Sequence, residues 1–338
     1  MARVLAVSAQ AGTGARQGQC DVAARSRPRT GRMERGRAAL ARGFERRYKG
    51  SKRAVRNRQE RQMTKAMFVM STGRCATQYL AHSLRDRAED VVVEHEPIGA
   101  RYRPRLGYRK PNKLHETLGR NLHIQRKFFE IEDHLAAGRR YVDVGWPTFA
   151  WLDYLESRFG DRFEFIHLVR NPFHVAASTL THGAFAGRED MRTRTCFIRG
   201  TDRNVRHAEF AQAYDGFTPY EKALYSWLEI NAHVQDAHDK PGFRGLYRFE
   251  DLFSGNGGAL DTIATTIMGR PVMGLTSEPY DKYSRRLKAG IELKNEDLHR
   301  TVVDRAVALG YDRGEMESSL DVPELEALYM AQRVAKTT

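Results

Sequence analysis

The sequence predicts an α/β fold in which helices cover both faces of a mostly parallel sheet. From residue 66 onward, short apolar runs typical of strands alternate with longer segments typical of helices. Two of the apolar runs end in polar residues suited to binding an anion. Because ligands bind beyond the carboxyl ends of the strands in such sheets, we expect these two segments to meet at one edge.

The elements follow one another from this point to the C-terminal part of the chain. Runs rich in apolar and β-branched residues predict strands at Met67–Ser71, Val91–His95, Tyr141–Val144, Phe163–Val169 and Gly245–Arg248. Segments with helical periodicity predict helices at Ala76–Arg87, Asn121–Gly138, Phe149–Phe159, Phe173–Thr181 and Tyr220–Ala237. Hydrophobic residues make up 41% of the 338 residues, enough to form a core for one α/β domain over residues 63–338.

Residues 1–62 differ from this domain in composition and predict a disordered basic extension. Up to Ala66 the chain holds 18 Lys and Arg against 4 Asp and Glu, so the first segment carries the whole net charge of +14. With few aromatic or β-branched residues, it buries too little apolar surface to offset the entropy of ordering. Either a solvated tail or an arm for nucleic acid or an anionic membrane surface fits this composition.

The first anion-binding segment is Phe68–Leu80, an apolar strand followed by Thr72, Gly73, Arg74, Cys75, Ala76 and Thr77 and then by a helix. A helix N-terminus presents unpaired N–H groups and a positive dipole end, and small residues let a phosphate approach them. Arg74 adds a cation and Thr77 a hydroxyl group. The nucleotide triphosphatase pattern G-x-x-x-x-G-K-S/T is absent. An ordinary strand-to-helix turn would have similar residues.

The second segment, Phe163–Ser178, repeats this arrangement. An apolar strand ends at Arg170, and Pro172 suits the first turn of a helix because its missing N–H would be unpaired there. Ser178 lies about two turns into that helix and can face the same crevice as Arg170. Taken alone, Arg170 could instead form a surface ion pair and Ser178 could be a solvated helix residue.

Together the two segments resemble the sulfotransferases that use 3′-phosphoadenosine 5′-phosphosulfate (PAPS). The first is similar to that family's 5′-phosphosulfate loop, with Arg74, Thr77 and Leu80 at matching positions. Cys75 and Ala76 replace the usual serine and glycine, but neither removes a backbone N–H. The second is similar to the family's 3′-phosphate motif, an arginine followed eight residues later by a serine. The segments Tyr225–Asn231 and Gly245–Leu252 extend the resemblance along most of the chain.

The resemblance implies PAPS as donor substrate, no metal, and a small-molecule or carbohydrate hydroxyl as acceptor. Residues 72–77 would bind the 5′-phosphosulfate, with Arg74 stabilising charge on the leaving group. Arg170 and Ser178 would bind the 3′-phosphate, and Lys288, in Arg285–Gly290, would close over it as a basic loop does in several relatives. For Arg285 itself a solvated turn is the simpler interpretation.

The catalytic base is expected at the end of the second strand, where Glu94, His95 and Glu96 precede Pro97. A base there would take the proton of the acceptor hydroxyl as it attacks sulfur. Glu96 and His95 are the candidates, and Glu96 is favoured. Because strand side chains alternate between faces, both can point into the site only if the strand has ended before them. Structural roles, with Glu94 or Glu96 paired to an arginine, are the alternative.

Two other functions remain open from the sequence. A P-loop kinase for a small hydroxyl compound would need a Walker lysine followed by Ser or Thr, which the loop lacks. A non-catalytic binder of anionic surfaces would work through residues 1–62. No run of about twenty apolar residues exists, so no membrane-spanning helix is predicted and a cytoplasmic location is expected. Cys20, Cys75 and Cys196 are too far apart to suggest a zinc site or a disulfide framework.

Overall fold

A five-stranded parallel sheet forms the centre of the protein. The structure is a computed structural model, and it describes residues 64–97, 104–185, 187, 191–254, 258–276 and 286–331. The strands are β1 (Ala66–Ser71), β2 (Val91–Glu94), β3 (Arg140–Val144), β4 (Phe163–Val169) and β5 (Phe243–Arg248). They lie in the order β2-β3-β1-β4-β5, with every neighbouring pair parallel. The predicted fold class is therefore confirmed.

The strand order creates a crevice at the carboxyl edge of the sheet. After β1 the chain builds β2 and β3 on one side and then crosses to β4 and β5 on the other. Strands β1 and β4 are neighbours, and the connections that follow them therefore run in opposite directions across the sheet. Such a reversal of strand order is the usual ligand site of open α/β sheets.

Helices cover both faces of the sheet. The α-helices are α1 (Thr77–Leu84), α2 (Pro104–Arg109), α3 (Pro111–Arg120), α4 (Leu122–Ala136), α5 (Leu152–Phe159), α6 (Pro172–Thr181), α7 (Met191–Cys196), α8 (Pro219–Gln235), α9 (Phe249–Leu252), α10 (Gly258–Met268), α11 (Glu296–Ala308), α12 (Arg313–Ser318) and α13 (Val322–Ala331). Every residue of β1 and β4 is buried, as expected for strands covered on two faces.

Alternate residues of the central strands form two separate hydrophobic clusters. Met67 and Val69 of β1 join one cluster with the buried faces of α1, α6 and α10, while Phe68 and Met70 join the other with α4 and α5. Helix α8 contributes to both clusters. Removing these side chains from water is the main stabilising term of the fold.

The predicted elements agree with the structure except at their ends and in one region. Residues 147–151 form a 3-10 helix before α5, where the sequence predicts one helix over Phe149–Phe159. Helices α2, α3, α7 and α9 to α13 were not among the predicted elements. Strand β2 ends at Glu94, one residue earlier than expected. Arg285 and the predicted basic extension, residues 1–62, lie outside the described residues.

Candidate functional site

The loop after β1 has a backbone shape that few sequences adopt. Gly73, Arg74 and Ala76 have φ values of 75°, 62° and 59°, all left-handed. This turn leads into α1, whose first residue is Thr77. Ala76, at the N-cap, has no side-chain acceptor. The backbone N–H groups in the first turn of α1 therefore receive no hydrogen bond from an N-cap side chain and can accept an anion as their partner. The loop thus has the geometry of an anion cradle.

A buried tryptophan explains why residue 73 is glycine. A Cβ atom on Gly73 would lie 3.1 Å from Cγ of Trp146. Trp146 is itself 6% exposed and stacks on Phe149 and Phe197, with ring centroids 6.3 and 6.0 Å away. Because the indole is buried and stacked on two rings, it leaves no room for a side chain at residue 73.

Cys75 stabilises the loop from inside. Its thiol is fully buried, donates a hydrogen bond to the carbonyl oxygen of Gly73 at 3.2 Å, and lies 3.5 Å from the hydroxyl of Thr72. Burial, the largest effect, raises the pKa of the Cys75 thiol to about 11. The side chain therefore remains a neutral thiol, a weak donor where a serine would be a stronger one.

The second motif begins where β4 ends. The side chain of Asn171 accepts hydrogen bonds from the backbone N–H groups of Phe173 and His174, and Pro172 occupies the first turn of α6 as predicted. The indole N–H of Trp227 in α8 donates to the carbonyl oxygen of Arg170 at 2.9 Å. Arg170 is thus fixed at a helix start rather than on a mobile surface.

The structure brings the two motifs into direct contact. The Nε atom of Arg74 donates to the hydroxyl of Ser178 at 2.8 Å, and Nη1 of Arg170 donates to the carbonyl oxygen of Arg74 at 2.8 Å. The Arg170 guanidinium lies 4.2 Å from the ring centroid of Phe249, and its buried Nε has no hydrogen-bond partner within the described residues. Two cations and a buried hydroxyl therefore share the crevice between β1 and β4.

A third side chain beside them, Tyr329 in α13, was not predicted from the sequence. This tyrosine is 5% exposed, its hydroxyl donates to the carbonyl oxygen of His174 at 2.8 Å, and it lies near Ser178 and Arg170. Burial raises the pKa of its phenol. No local sequence signal points to it, because 151 residues separate it from Ser178.

The predicted base candidates lie beside the other end of the loop. The Nε2 atom of His95 is 3.3 Å from the Thr77 hydroxyl and 3.7 Å from Oε1 of Glu96. Because β2 has ended at Glu94 and Glu96 has a φ of 47°, the strict alternation of a strand no longer applies, and both side chains face this corner. Burial, assisted by Arg85, lowers the pKa of His95, so its ring is neutral at pH 7.

Glu94 points elsewhere. Its carboxylate pairs with Nζ of Lys127 in α4 at 2.5 Å and accepts a hydrogen bond from the hydroxyl of Tyr141 at 2.7 Å. The basic partner of Glu94 is therefore a lysine, not the arginine expected from the sequence. Glu94 has a structural role, and His95 and Glu96 remain the two candidates for the base.

Lys288, the remaining predicted residue, is exposed and stands apart from these contacts. It lies against Gly183, where a Cβ atom would come within 3.2 Å of the lysine Nζ, five residues after Ser178. Within the described residues it makes no hydrogen bond or ion pair. The structure places it near the end of α6 without joining it to Arg170 or Ser178.

Two histidines that flank the second motif have structural positions. His167 is fully buried between Asn231 at 2.9 Å and His238 at 3.0 Å, and burial lowers its pKa to about 3. Burial likewise lowers the pKa of His174 to about 4. Neither of these side chains joins the corner formed by His95 and Glu96.

Asp202, His207 and Glu209, in the polar segment between α7 and α8, make contacts with other side chains. Asp202 forms a bidentate pair with Arg105 at 2.7 and 2.8 Å. His207 Nδ1 lies 2.9 Å from Glu209 Oε1. These contacts engage all three side chains within the fold.

Among the residues that the structure describes, no three His, Cys, Asp or Glu side chains are grouped so as to hold a metal ion. In the same residues, no helix is both long and apolar enough to cross a membrane. Cys75 and Cys196 are free thiols, and Cys20 lies outside the described residues.

Comparison with known proteins gives one structural likeness. The chain is similar to the crystal structure of a sulfotransferase from Alicyclobacillus acidocaldarius, with a TM-score of 0.40 and 14% sequence identity, over 79% of this chain and 96% of that one. No family model matches the chain. No curated protein matches it in sequence.

Proposed function

We propose that this protein is a sulfotransferase that moves the sulfuryl group of PAPS to an acceptor hydroxyl. The observation that carries the proposal is the 2.8 Å hydrogen bond between Arg74 of the first motif and Ser178 of the second. Residues 104 positions apart thus share one crevice at the carboxyl edge of the sheet. PAPS carries phosphate at both the 5′ and the 3′ position, so a donor site of this kind needs two adjacent anion sites.

The two anion sites differ in their chemistry. The 5′-phosphosulfate would rest on the N–H groups of the loop from Thr72 to Thr77, where a helix N-terminus favours negative charge. The 3′-phosphate would take hydrogen bonds from the Arg170 guanidinium and the Ser178 hydroxyl, with Tyr329 beside them. When this phosphate binds, the Arg74–Ser178 contact gives way, and Arg74 turns toward the 5′ side.

The transfer itself needs a base and a fixed positive charge. The acceptor oxygen forms a bond to sulfur while the bond from sulfur to the bridging phosphate oxygen breaks in line, giving a sulfate ester and 3′-phosphoadenosine 5′-phosphate. Glu96 takes the hydroxyl proton, with neutral His95 as the alternative acceptor. Arg74 neutralises charge on the leaving phosphate and cannot supply a proton, since arginine remains protonated.

The acceptor is a small-molecule or carbohydrate hydroxyl, reached from the corner formed by His95 and Glu96. We place the protein in the cytoplasm, with peripheral membrane contact through residues 1–62 as an additional role of the basic segment. Specificity for the acceptor resides in side chains that can differ freely among proteins with this scaffold.

Calorimetric binding of the product nucleotide tests the proposal directly. The wild type is expected to bind 3′-phosphoadenosine 5′-phosphate and to prefer it to ATP, which lacks a 3′-phosphate. Removing a charge-assisted contact costs about 1.5–3 kcal/mol. Arg170→Ala should therefore weaken binding by about 10- to 150-fold.

Arg244→Ala is the matched control. Arg244 is an exposed arginine at the amino end of β5, on the opposite edge of the sheet from the site, where its Nε atom pairs with Glu164 at 2.9 Å. Its removal should leave the nucleotide affinity unchanged. Preference for ATP would favour a kinase, and absence of binding would overturn the donor site.

Variants of the two base candidates then test the chemistry. General base catalysis contributes about 10²- to 10⁴-fold, so Glu96→Gln should lower turnover by at least about 100-fold. Nucleotide affinity should change little, because the carboxylate acts on the acceptor. If His95→Gln shows the large loss and Glu96→Gln does not, the roles of the two residues are exchanged.

A further inference from the structure

One peptide group at the start of the second motif is held at both of its polar ends. The carbonyl oxygen of Arg170 accepts a hydrogen bond from the indole N–H of Trp227 at 2.9 Å. The N–H of Asn171 donates to Oε1 of Glu250, also at 2.9 Å. These two groups belong to the same peptide unit, which is planar. Because both ends of the plane are bound, the backbone that leaves Arg170 is held in one orientation.

Glu250 is itself held by a second hydrogen bond. It lies in α9, directly after β5, and its Oε2 atom accepts the hydroxyl of Tyr311 at 2.7 Å. Tyr311 is 3% exposed and lies between α11 and α12. Each carboxylate oxygen of Glu250 therefore has a donor, and the side chain cannot rotate away without breaking one of these hydrogen bonds.

Asn171 depends on this contact because it is buried. It is 3% exposed, its Nδ2 atom donates to the hydroxyl of Ser319 at 2.9 Å, and its Oδ1 atom accepts the N–H of Phe173 at 2.9 Å. A buried backbone N–H that loses its partner is costly. The carboxylate of Glu250 therefore stabilises this turn of the backbone.

The side chain of Arg170 meets the same helix. Its guanidinium lies 4.2 Å from the ring centroid of Phe249, and its Nη1 atom donates to the carbonyl oxygen of Arg74 at 2.8 Å. Glu250 follows Phe249 directly in the sequence. One turn of α9 thus contacts both the guanidinium of Arg170 and the peptide group that follows it.

We propose that Glu250 is a positioning residue, which holds the Arg170–Asn171 peptide against Trp227 and so directs the Arg170 guanidinium toward the 3′-phosphate. The inference rests on the proposed function, in which Arg170 binds that phosphate. A carboxylate repels a phosphate, so the contribution of Glu250 to binding is geometric and acts through Arg170.

Two substitutions of Glu250 separate geometry from charge. The readout is the ratio of the affinities for 3′-phosphoadenosine 5′-phosphate and adenosine 5′-phosphate, which differ only in the 3′-phosphate. Glu250→Asp keeps the charge but is too short to reach the Asn171 N–H, so the ratio should fall by about tenfold. Glu250→Gln keeps the length and an accepting oxygen, and the ratio should be retained or rise. The reverse order would show an electrostatic role and overturn the inference.

Asp251, the next residue, is the matched control. Its carboxylate pairs with Arg248 at 2.7 Å, so Asp251→Ala removes a negative charge from the same helical turn without touching Asn171. The ratio should stay that of the wild type. In an Arg170→Ala background, Glu250→Asp should cause no further loss, because residues that act through one another are not additive.

Amide hydrogen exchange at Asn171 tests the hydrogen bond without any nucleotide. Exchange should be about tenfold faster in Glu250→Asp than in the wild type and unchanged in Glu250→Gln. If Glu250→Asp does not fold, Tyr311→Phe releases Oε2 of Glu250 and should change exchange and ratio in the same direction.

Three outcomes would overturn the inference. The first is a wild-type ratio in Glu250→Asp despite faster exchange at Asn171, and the second is an equal loss of affinity for both nucleotides, as a general structural defect would give. In both cases a wild type that prefers the 3′-phosphate leaves the proposed function standing. The third is a wild type without that preference, which overturns the proposed function as well.

Discussion

Substitution of Gly73 by alanine tests how the fold shapes the loop. Gly73 has a φ of 75°, and alanine in a left-handed conformation costs about 1–2 kcal/mol. The new Cβ would also lie 3.1 Å from Trp146 Cγ, closer than the 3.5–4.0 Å optimum for carbon atoms. Since Trp146 is buried and stacked on two aromatic rings, overpacking should add about 1–3 kcal/mol.

Gly138 offers a control with the same backbone cost and no contact. Its φ is 79°, and a Cβ atom there would meet nothing within 4 Å. Gly138→Ala should therefore lose only about 1–2 kcal/mol of unfolding free energy, against roughly 2–5 kcal/mol for Gly73→Ala. Urea denaturation of both variants measures the difference, which isolates the contact with Trp146.

Binding of the product nucleotide separates the two glycines further. Gly73→Ala moves the N–H groups of the loop, so its affinity for 3′-phosphoadenosine 5′-phosphate should fall by at least about tenfold, a 1.4 kcal/mol effect. Gly138→Ala should bind like the wild type. Equal stability of the two variants together with full nucleotide affinity in Gly73→Ala would refute the role assigned to the Trp146 contact.

Three further predictions concern binding, pH and thiol reactivity. Ser178→Ala should weaken nucleotide binding by at least about tenfold, and Tyr329→Phe by less, in the same calorimetric assay, because a hydrogen bond to a charged phosphate contributes about 1.5 kcal/mol or more. His167 is buried and neutral, and its pKa is about 3 in the folded protein against about 6.5 in the unfolded chain. Its contribution to the free energy of unfolding is therefore complete above about pH 6.5 and is lost as the pH falls toward 3. Unfolding free energies measured from pH 7 to pH 4 should therefore decline by about 1.4 kcal/mol per unit for this group, and less steeply in His167→Gln. In a Cys20→Ser variant, the buried Cys75 should resist a thiol reagent at pH 8 until denaturant is added, and rapid native labelling would contradict its burial.

The local elements of the fold were predictable because their signals are short-range. Apolar runs marked β1 and β4, which are buried on both faces, and Pro172 marked the start of α6. Several unpredicted helices, such as α2 with six residues and α9 with four, are too short to show a helical period in the sequence. The 3-10 turn at residues 147–151 depends on packing against α2 and β1, which no local pattern encodes.

By itself, the sequence determined the α/β class and the placement of two candidate anion-binding segments at strand ends, since periodicity and turn chemistry act over a few residues. Tertiary structure alone decided which side chains meet. The contact of Arg74 with Ser178 and the position of Tyr329 near Ser178 bring together residues 104 and 151 positions apart. Such pairs follow from strand order and helix packing, because only the assembled sheet brings distant loops to one edge.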